Sequence, residues 1–284
     1  MSSGRAGRRD REPRRFHLAA CGTVVTVEIG EPALLESARR LFQSYESALV
    51  DSGPARRPDV TLERTPGGCL VVKHAARVVA CGSELDALAE LEITLTGLLL
   101  RACRGYAHLH AAGAVVGGRA VLALGGAGGG KSSLALCWAA GGFPVLGDDV
   151  VLLTGTSHVL PFKRMFKVSP AVLEAAGIDP ATTPFWYPGI PEAWYGPEGG
   201  PGWAEEGCVA AIAEVRHRPG SRLCVEETTR AEGLNMLLHS LMPTGLDARA
   251  CFEATARVAE GARVFRVLFG SAVDAASELS GRAA

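Results

Sequence analysis

The sequence predicts an α/β protein in which a phosphate-loop core follows a small α+β unit. Three observations predict it. A glycine run, GGAGGGKS (125–132), lies between an apolar strand-like segment and a helix-like one. Short β-branched runs punctuated by turn residues precede it, as in a small mixed domain. Helical and strand-like segments alternate after it, as they do in α/β folds.

Residues 1–15 are arginine-rich, with no apolar segment behind them. They read as a disordered basic tail rather than a secretory signal. An acidic partner is the alternative use for that charge.

The small α+β unit is placed at 16–82. GTVVTVEI (22–29) reads as a strand, and PALLESARRLFQSYESALV (32–50) has helical apolar spacing with Pro32 near its start. DVTLE (59–63), CLVVK (69–73) and RVVAC (77–81) read as strands separated by Pro66-Gly67-Gly68 and His74-Ala75-Ala76.

The core is placed at 83–284 and opens with a helix over about 83–104. AGAVV, Gly117-Gly118 and RAVLAL then read as a hairpin, because a Gly-Gly pair supplies the positive φ of a tight turn. The glycine run comes next, then a helix over about 131–140, a Gly141-Gly142 stop and one strand, FPVLGDDVVLL. VLPFKRMFKVSP reads as strand and turn, and a hairpin is expected around Pro219-Gly220. Helices over about 230–241 and 246–258 and a strand over 263–269 close the chain.

The protein has 284 residues, of which 48% are hydrophobic and 21% charged, with a formal net charge of −1. That balance gives no electrostatic reason to bind nucleic acid or an anionic membrane. LEITLTGLLLRAC (91–103) is too short for a bilayer span. The eight cysteines are scattered, without C-x-x-C, and read as free thiols in a reducing cytoplasm.

Gly125, Gly126, Ala127, Gly128, Gly129, Gly130, Lys131 and Ser132, with Ser133 behind them, fit G-x-x-x-x-G-K-[ST] at every fixed position. Phosphate oxygens need many donors close together. Glycines let backbone N–H groups point inward, and the following helix adds its positive end. Lys131 is expected at the β/γ-phosphates of ATP, with the Ser132 hydroxyl on Mg²⁺. An accidental match in a chain with 35 glycines is the alternative. The strand before and the helix after decide for the loop.

Asp148 and Asp149 follow in the same unit. In a nucleotide site one carboxylate holds Mg²⁺ while a neighbour takes the proton of an attacking hydroxyl. Residue types alone do not say which does which. His110, ahead of the hairpin, has two readings: a structural histidine, or a group that touches phosphate or orients an aspartate. His108 reads as structural. The aromatics Phe185, Trp186, Tyr187, Trp194, Tyr195 and Trp203 either wrap a peptide or pack on the core.

This succession (His110, a hairpin, GGAGGGKS, a ten-residue helix, Gly-Gly, then Gly-Asp-Asp) resembles the catalytic core of bacterial HPr serine kinases. That core is itself similar to phosphoenolpyruvate carboxykinase. The resemblance implies a cytoplasmic kinase using ATP and Mg²⁺. Asp148 or Asp149 is then the base, position in the pair favouring Asp149 with Asp148 as metal partner alongside Ser132, and His110 is an active-site residue with Lys131. LPFKRMFKVSP resembles the PF-x-R…K stretch of HPr-kinase-related proteins in peptide-modification gene clusters, including kinases of lasso-peptide precursors. That implies phosphate or substrate contacts from Lys163, Arg164 and Lys167, and a Ser/Thr acceptor on a peptide or small protein.

HPr kinases carry E-x-R-G-x-G where this chain has EVRHRPGSR (214–222). Glu214 and Arg216 stand without the glycines, which points away from HPr as acceptor. The rival readings are a kinase of a small-molecule hydroxyl and a non-catalytic nucleotide-binding regulator. Assembly into a homo-oligomer is left open.

Overall fold

The computed structural model describes residues 14–46, 57–182, 193–197 and 202–283. The chain divides into two compact units, Met1–Cys103 and Arg104–Ala284. The division falls after the helix expected to open the core, because that helix buries its apolar face on the first unit's sheet.

The first unit contains β1 (Arg14–Ala20), β2 (Thr23–Ile29), α1 (Leu35–Arg40), β3 (Val60–Arg64), β4 (Leu70–His74), β5 (Arg77–Cys81) and α2 (Glu84–Ala102). The five strands form one sheet in sequence order, antiparallel except for the β2–β3 pair. On α2, Leu88, Leu91, Leu95 and Leu99 are fully buried. Their spacing of three and four residues makes one apolar stripe, which lies against β3, β4 and β5. The Ser83 hydroxyl starts the helix by accepting the Asp86 N–H at 3.1 Å.

Two expectations change here. β1 begins at Arg14, so the last two residues of the expected tail are strand, and Arg15 pairs with Glu28 across it at 2.7 Å. The long helix expected over 32–50 is broken. α1 ends at Arg40, and Leu41 and Phe42, in the turn that follows, are almost completely buried. Residues 1–13 and 47–50 lie outside the described residues.

The second unit contains β6 (Ala107–Leu109), β7 (Ala112–Val116), β8 (Arg119–Leu124), α3 (Lys131–Ala140), β9 (Val145–Gly147), β10 (Val151–Leu153), β11 (His158–Pro161), β12 (Phe166–Val168) and α4 (Pro170–Ala175). β13 (Ala193–Tyr195), β14 (Gly207–His217), β15 (Cys224–Glu227), α5 (Arg230–His239), β16 (Leu241–Gly245), α6 (Ala248–Gly261), β17 (Arg263–Phe269) and α7 (Ala272–Ala283) complete it. The large sheet runs β16-β6-β10-β11-β14-β8-β7-β9, with β17 on β14 and β15 on β17. β12 and β13 pair separately.

Side chains alternate across this sheet and feed two cores. Val121, Ala123, Ala211 and Ala213 face α3 and α7, with the fully buried Trp138 between the helices. The Trp138 indole N–H donates to the Ala276 carbonyl at 3.2 Å. Leu122, Leu124 and Ile212 face α5 and α6 on the other side. The unit is therefore α/β with helices on both faces.

The β7–β8 hairpin turns at Gly117 and Gly118, both at positive φ. The hairpin expected around Pro219-Gly220 does not form. β14 pairs with β17 in parallel, and β15 pairs with the far side of β17, so the last strand lies between them. β17 offers alternating apolar residues that fill both cores. A short, exposed β15 could not do that directly against β14.

Candidate functional site

β8, β14 and β17 run parallel, so their C-terminal ends share one edge of the sheet. Ligand sites in open α/β sheets lie outside such ends. The glycine run leaves β8 there and enters α3 at Lys131.

The glycines are required by crowding as well as by conformation. Gly130 has φ +93°, and a Cβ there would meet the Phe269 ring at 2.5 Å. At Gly125, with φ +145°, a Cβ would meet the Val215 carbonyl at 2.7 Å. The end of β14 braces the loop further, since the His217 N–H donates to the Gly129 carbonyl at 3.0 Å. Gly130→Ala combines left-handed strain with a ring clash. It is expected to cost at least about 2 kcal/mol, measured as a lowered denaturant midpoint.

Lys131 is buried, and its ammonium donates to the carbonyls of Gly125 at 2.8 Å and Gly126 at 3.2 Å. Burial lowers its pKa from the ordinary lysine value, opposed by the charges of Asp149 and Asp148. A buried cation beside a glycine loop is a natural anion partner.

The one strand expected over 143–153 is two. β9 stops at Gly147 and β10 starts at Val151, with the aspartates in the bend between. A Cβ at Gly147 would run into the Val150 carbonyl, so the bend needs glycine. It sets the two carboxylates in different surroundings. Asp148 is 4% exposed, whereas the Asp149 side chain is 40% exposed.

Arg164 reaches both, at 3.1 Å from Asp149 and 3.7 Å from Asp148. His110 Nε2 contacts the other Asp149 oxygen at 2.9 Å, so that nitrogen carries the hydrogen. The His110 backbone N–H is held by the Ser240 carbonyl at 2.7 Å. Burial pushes the Asp148 carboxyl up to about 6. Arg164 and a hydrogen bond from Ser132 pull it down, while Asp149 adds to the rise. Ser132 therefore faces Asp148 at the start of α3.

Two grooves meet at Gly125, Gly126 and Glu214. The larger, about 610 Å³, runs from the loop over His217 at the end of β14 and Arg266 in the middle of β17. The smaller, about 440 Å³, is bounded by His110, Asn235 and His239. Asn235 and His239 were missed in the sequence, although an i, i+4 polar pair on a helix is a visible sign. Glu214 was noted there without a place. Its pairing beside Leu124 brings it to the loop.

Of the basic segment, Arg164 joins the aspartates. Lys167 lies 5.4 Å from the Trp194 ring and belongs to the β12–β13 pair. Trp203 packs edge-on against Phe166 at 5.8 Å. Phe185, Trp186 and Tyr187 lie outside the described residues. His108 is fully buried in β6.

Among the described residues no three His, Cys, Asp or Glu side chains gather as a metal cluster. None of the helices there is long and apolar enough to cross a membrane.

The chain matches no protein-family model and no curated protein. Among solved structures it is similar to the Hpr(Ser) kinase/phosphatase from Coxiella burnetii, at 15% identity and a TM-score of 0.33. The match covers 62% of this chain and 92% of that one.

Proposed function

We propose that this protein is an ATP- and Mg²⁺-dependent kinase that phosphorylates a Ser or Thr hydroxyl of a peptide or small protein. A ribosomally made precursor peptide is the acceptor favoured by the sequence resemblance of LPFKRMFKVSP. One observation carries the reading: a glycine loop, a buried Asp148 hydrogen-bonded by Ser132 and a half-exposed Asp149 held by His110 converge at one sheet edge.

The donor set fits Mg²⁺. That ion takes hard oxygen ligands, few of them from protein, with phosphates and water supplying the rest. Ser132 and Asp148 offer one hydroxyl and one carboxylate. When bound, the ion neutralises phosphate charge.

In this reading the loop amides and Lys131 bind the triphosphate, with the nucleoside along the larger groove. The acceptor hydroxyl enters by the smaller groove, whose wall includes His110, the partner of Asp149. Asp149 takes the hydroxyl proton as the oxygen bonds to the γ-phosphorus. The bond from that phosphorus to the β–γ bridging oxygen breaks, and ADP leaves. His110 and Arg164 fix the aspartate's orientation, so positioning and charge supply most of the rate.

Lys131→Ala tests the loop. ATP affinity by calorimetric titration is expected to fall roughly 10- to 150-fold, the range for a hydrogen bond to a charged group. Unchanged affinity would remove the loop from the site.

A further inference from the structure

The first unit carries a feature that the kinase reading does not use. The sulfurs of Cys21 and Cys103 lie 3.0 Å apart, although 82 positions separate them in the chain. A disulfide needs about 2.05 Å, so closing the gap takes a movement of about 1 Å. Cys21 is exposed and Cys103 is buried at the end of α2.

The backbone supplies a second, independent observation. Cys21 and Gly22 form the two-residue turn between β1 and β2, flanked by the Ala20–Thr23 pair. Cys21 has φ +48° and Gly22 has φ +77°. Such turns favour Asn-Gly or Gly-Gly, because both central residues are left-handed. A cysteine at the first position costs local strain, and strain of this kind gathers at sites with a job. Here it brings the thiol to the last turn of α2.

We propose that Cys21 and Cys103 are an oxidative modification site, a thiol pair that closes to a disulfide when it meets a peroxide. The exposed Cys21 sulfur attacks one peroxide oxygen and the O–O bond breaks. Cys21 becomes a sulfenic acid, and the other oxygen leaves as water after taking the thiol proton. The Cys103 sulfur then attacks the Cys21 sulfur. The S–O bond breaks, the Cys103 proton goes to the departing hydroxide, and a second water forms. Two thiols are oxidised and one peroxide is reduced. A solvent-accessible cysteine beside a resolving one is the arrangement such sensors use. The bond ties the β1–β2 turn to the end of α2, and a dithiol reductant reverses it.

The test uses the full-length protein and hydrogen peroxide at one molar equivalent. Free thiols are then alkylated and the protein is digested with trypsin without reductant. The expected product is the peptide Phe16–Arg39 joined to Ala102–Arg104, with two thiols lost per chain and both regained with dithiothreitol. Cys69, Cys208 and Cys224, also exposed, serve as internal controls and stay alkylatable. In Cys103→Ser the joined peptide is absent, and Cys21 stops at a sulfenic acid that dimedone traps. Cys21→Ser, at an exposed position, also loses the joined peptide. It keeps the test open if the buried substitution fails to fold. Full alkylation of Cys21 and Cys103 after peroxide, or Cys21 joined to a different cysteine, overturns the proposal.

Discussion

Asp149→Asn is expected to lower phosphoryl transfer by about 10²–10⁴-fold, the usual contribution of a general base. Affinity for ATP should stay within about threefold. Asparagine keeps the size of the side chain and a carbonyl that still accepts from His110 or Arg164, but it cannot take the acceptor proton. The Asp149 side chain is 40% exposed, and Arg164 retains Asp148, so the fold should hardly notice. Single-turnover transfer and nucleotide titration on the same preparation separate the effects. A loss confined to nucleotide affinity would assign Asp149 to binding instead.

Asp148→Asn is expected to do something less intuitive: remove activity and raise stability. The Asp148 carboxyl titrates near 6 in the fold, against 3.8 for an ordinary aspartate. A folded-state pKa above the unfolded one means the folded protein holds the proton longer. Stability from this group is therefore full below about pH 4 and is lost as pH rises through about 6. At pH 7.5 the loss is about 3 kcal/mol, since each pKa unit is worth 1.36 kcal/mol. Asparagine carries no charge to bury and still accepts from Ser132. The variant should thus be more stable than the parent by up to about 3 kcal/mol at pH 7.5 and about equal at pH 4. Denaturant midpoints at the two pH values measure this. ATP with Mg²⁺ should raise the parent's melting temperature more than the variant's, because only the parent offers the ion a carboxylate. A variant less stable than its parent at neutral pH would show that Asp148 is held by its partners more strongly than burial opposes it.

Local signals made much of this architecture legible. The β7–β8 hairpin follows from Gly117-Gly118, and α3 from the glycine run before it and Gly141-Gly142 after it. What stayed hidden was set by distant contacts. The insertion of β17 between β14 and β15 cannot be read from a Pro-Gly turn, because turn chemistry says where a chain reverses and not what it pairs with. The membership of α2 was missed for the same reason. Its leucine stripe announces a buried face, while only the assembled sheet says which core receives it.

The site divides in the same way. The glycine run and the aspartate pair are visible by residue type and spacing. The different surroundings of the two aspartates are not, because they depend on the bend at Gly147 that buries one carboxylate and leaves its neighbour half exposed. Arg164 was visible as one of three basic residues in LPFKRMFKVSP. Its position across both carboxylates depends on β11 returning the chain beside β10.

The central claim is phosphoryl transfer to a hydroxyl. Its most direct test is incubation of the purified protein with ATP labelled at the γ-phosphate, Mg²⁺ and a library of Ser- and Thr-containing peptides. The account predicts label in phosphoserine or phosphothreonine, abolished by Asp149→Asn in a protein that still binds ATP. Tight ATP binding with no transfer to any peptide, and no difference between the parent and Asp149→Asn, would contradict it.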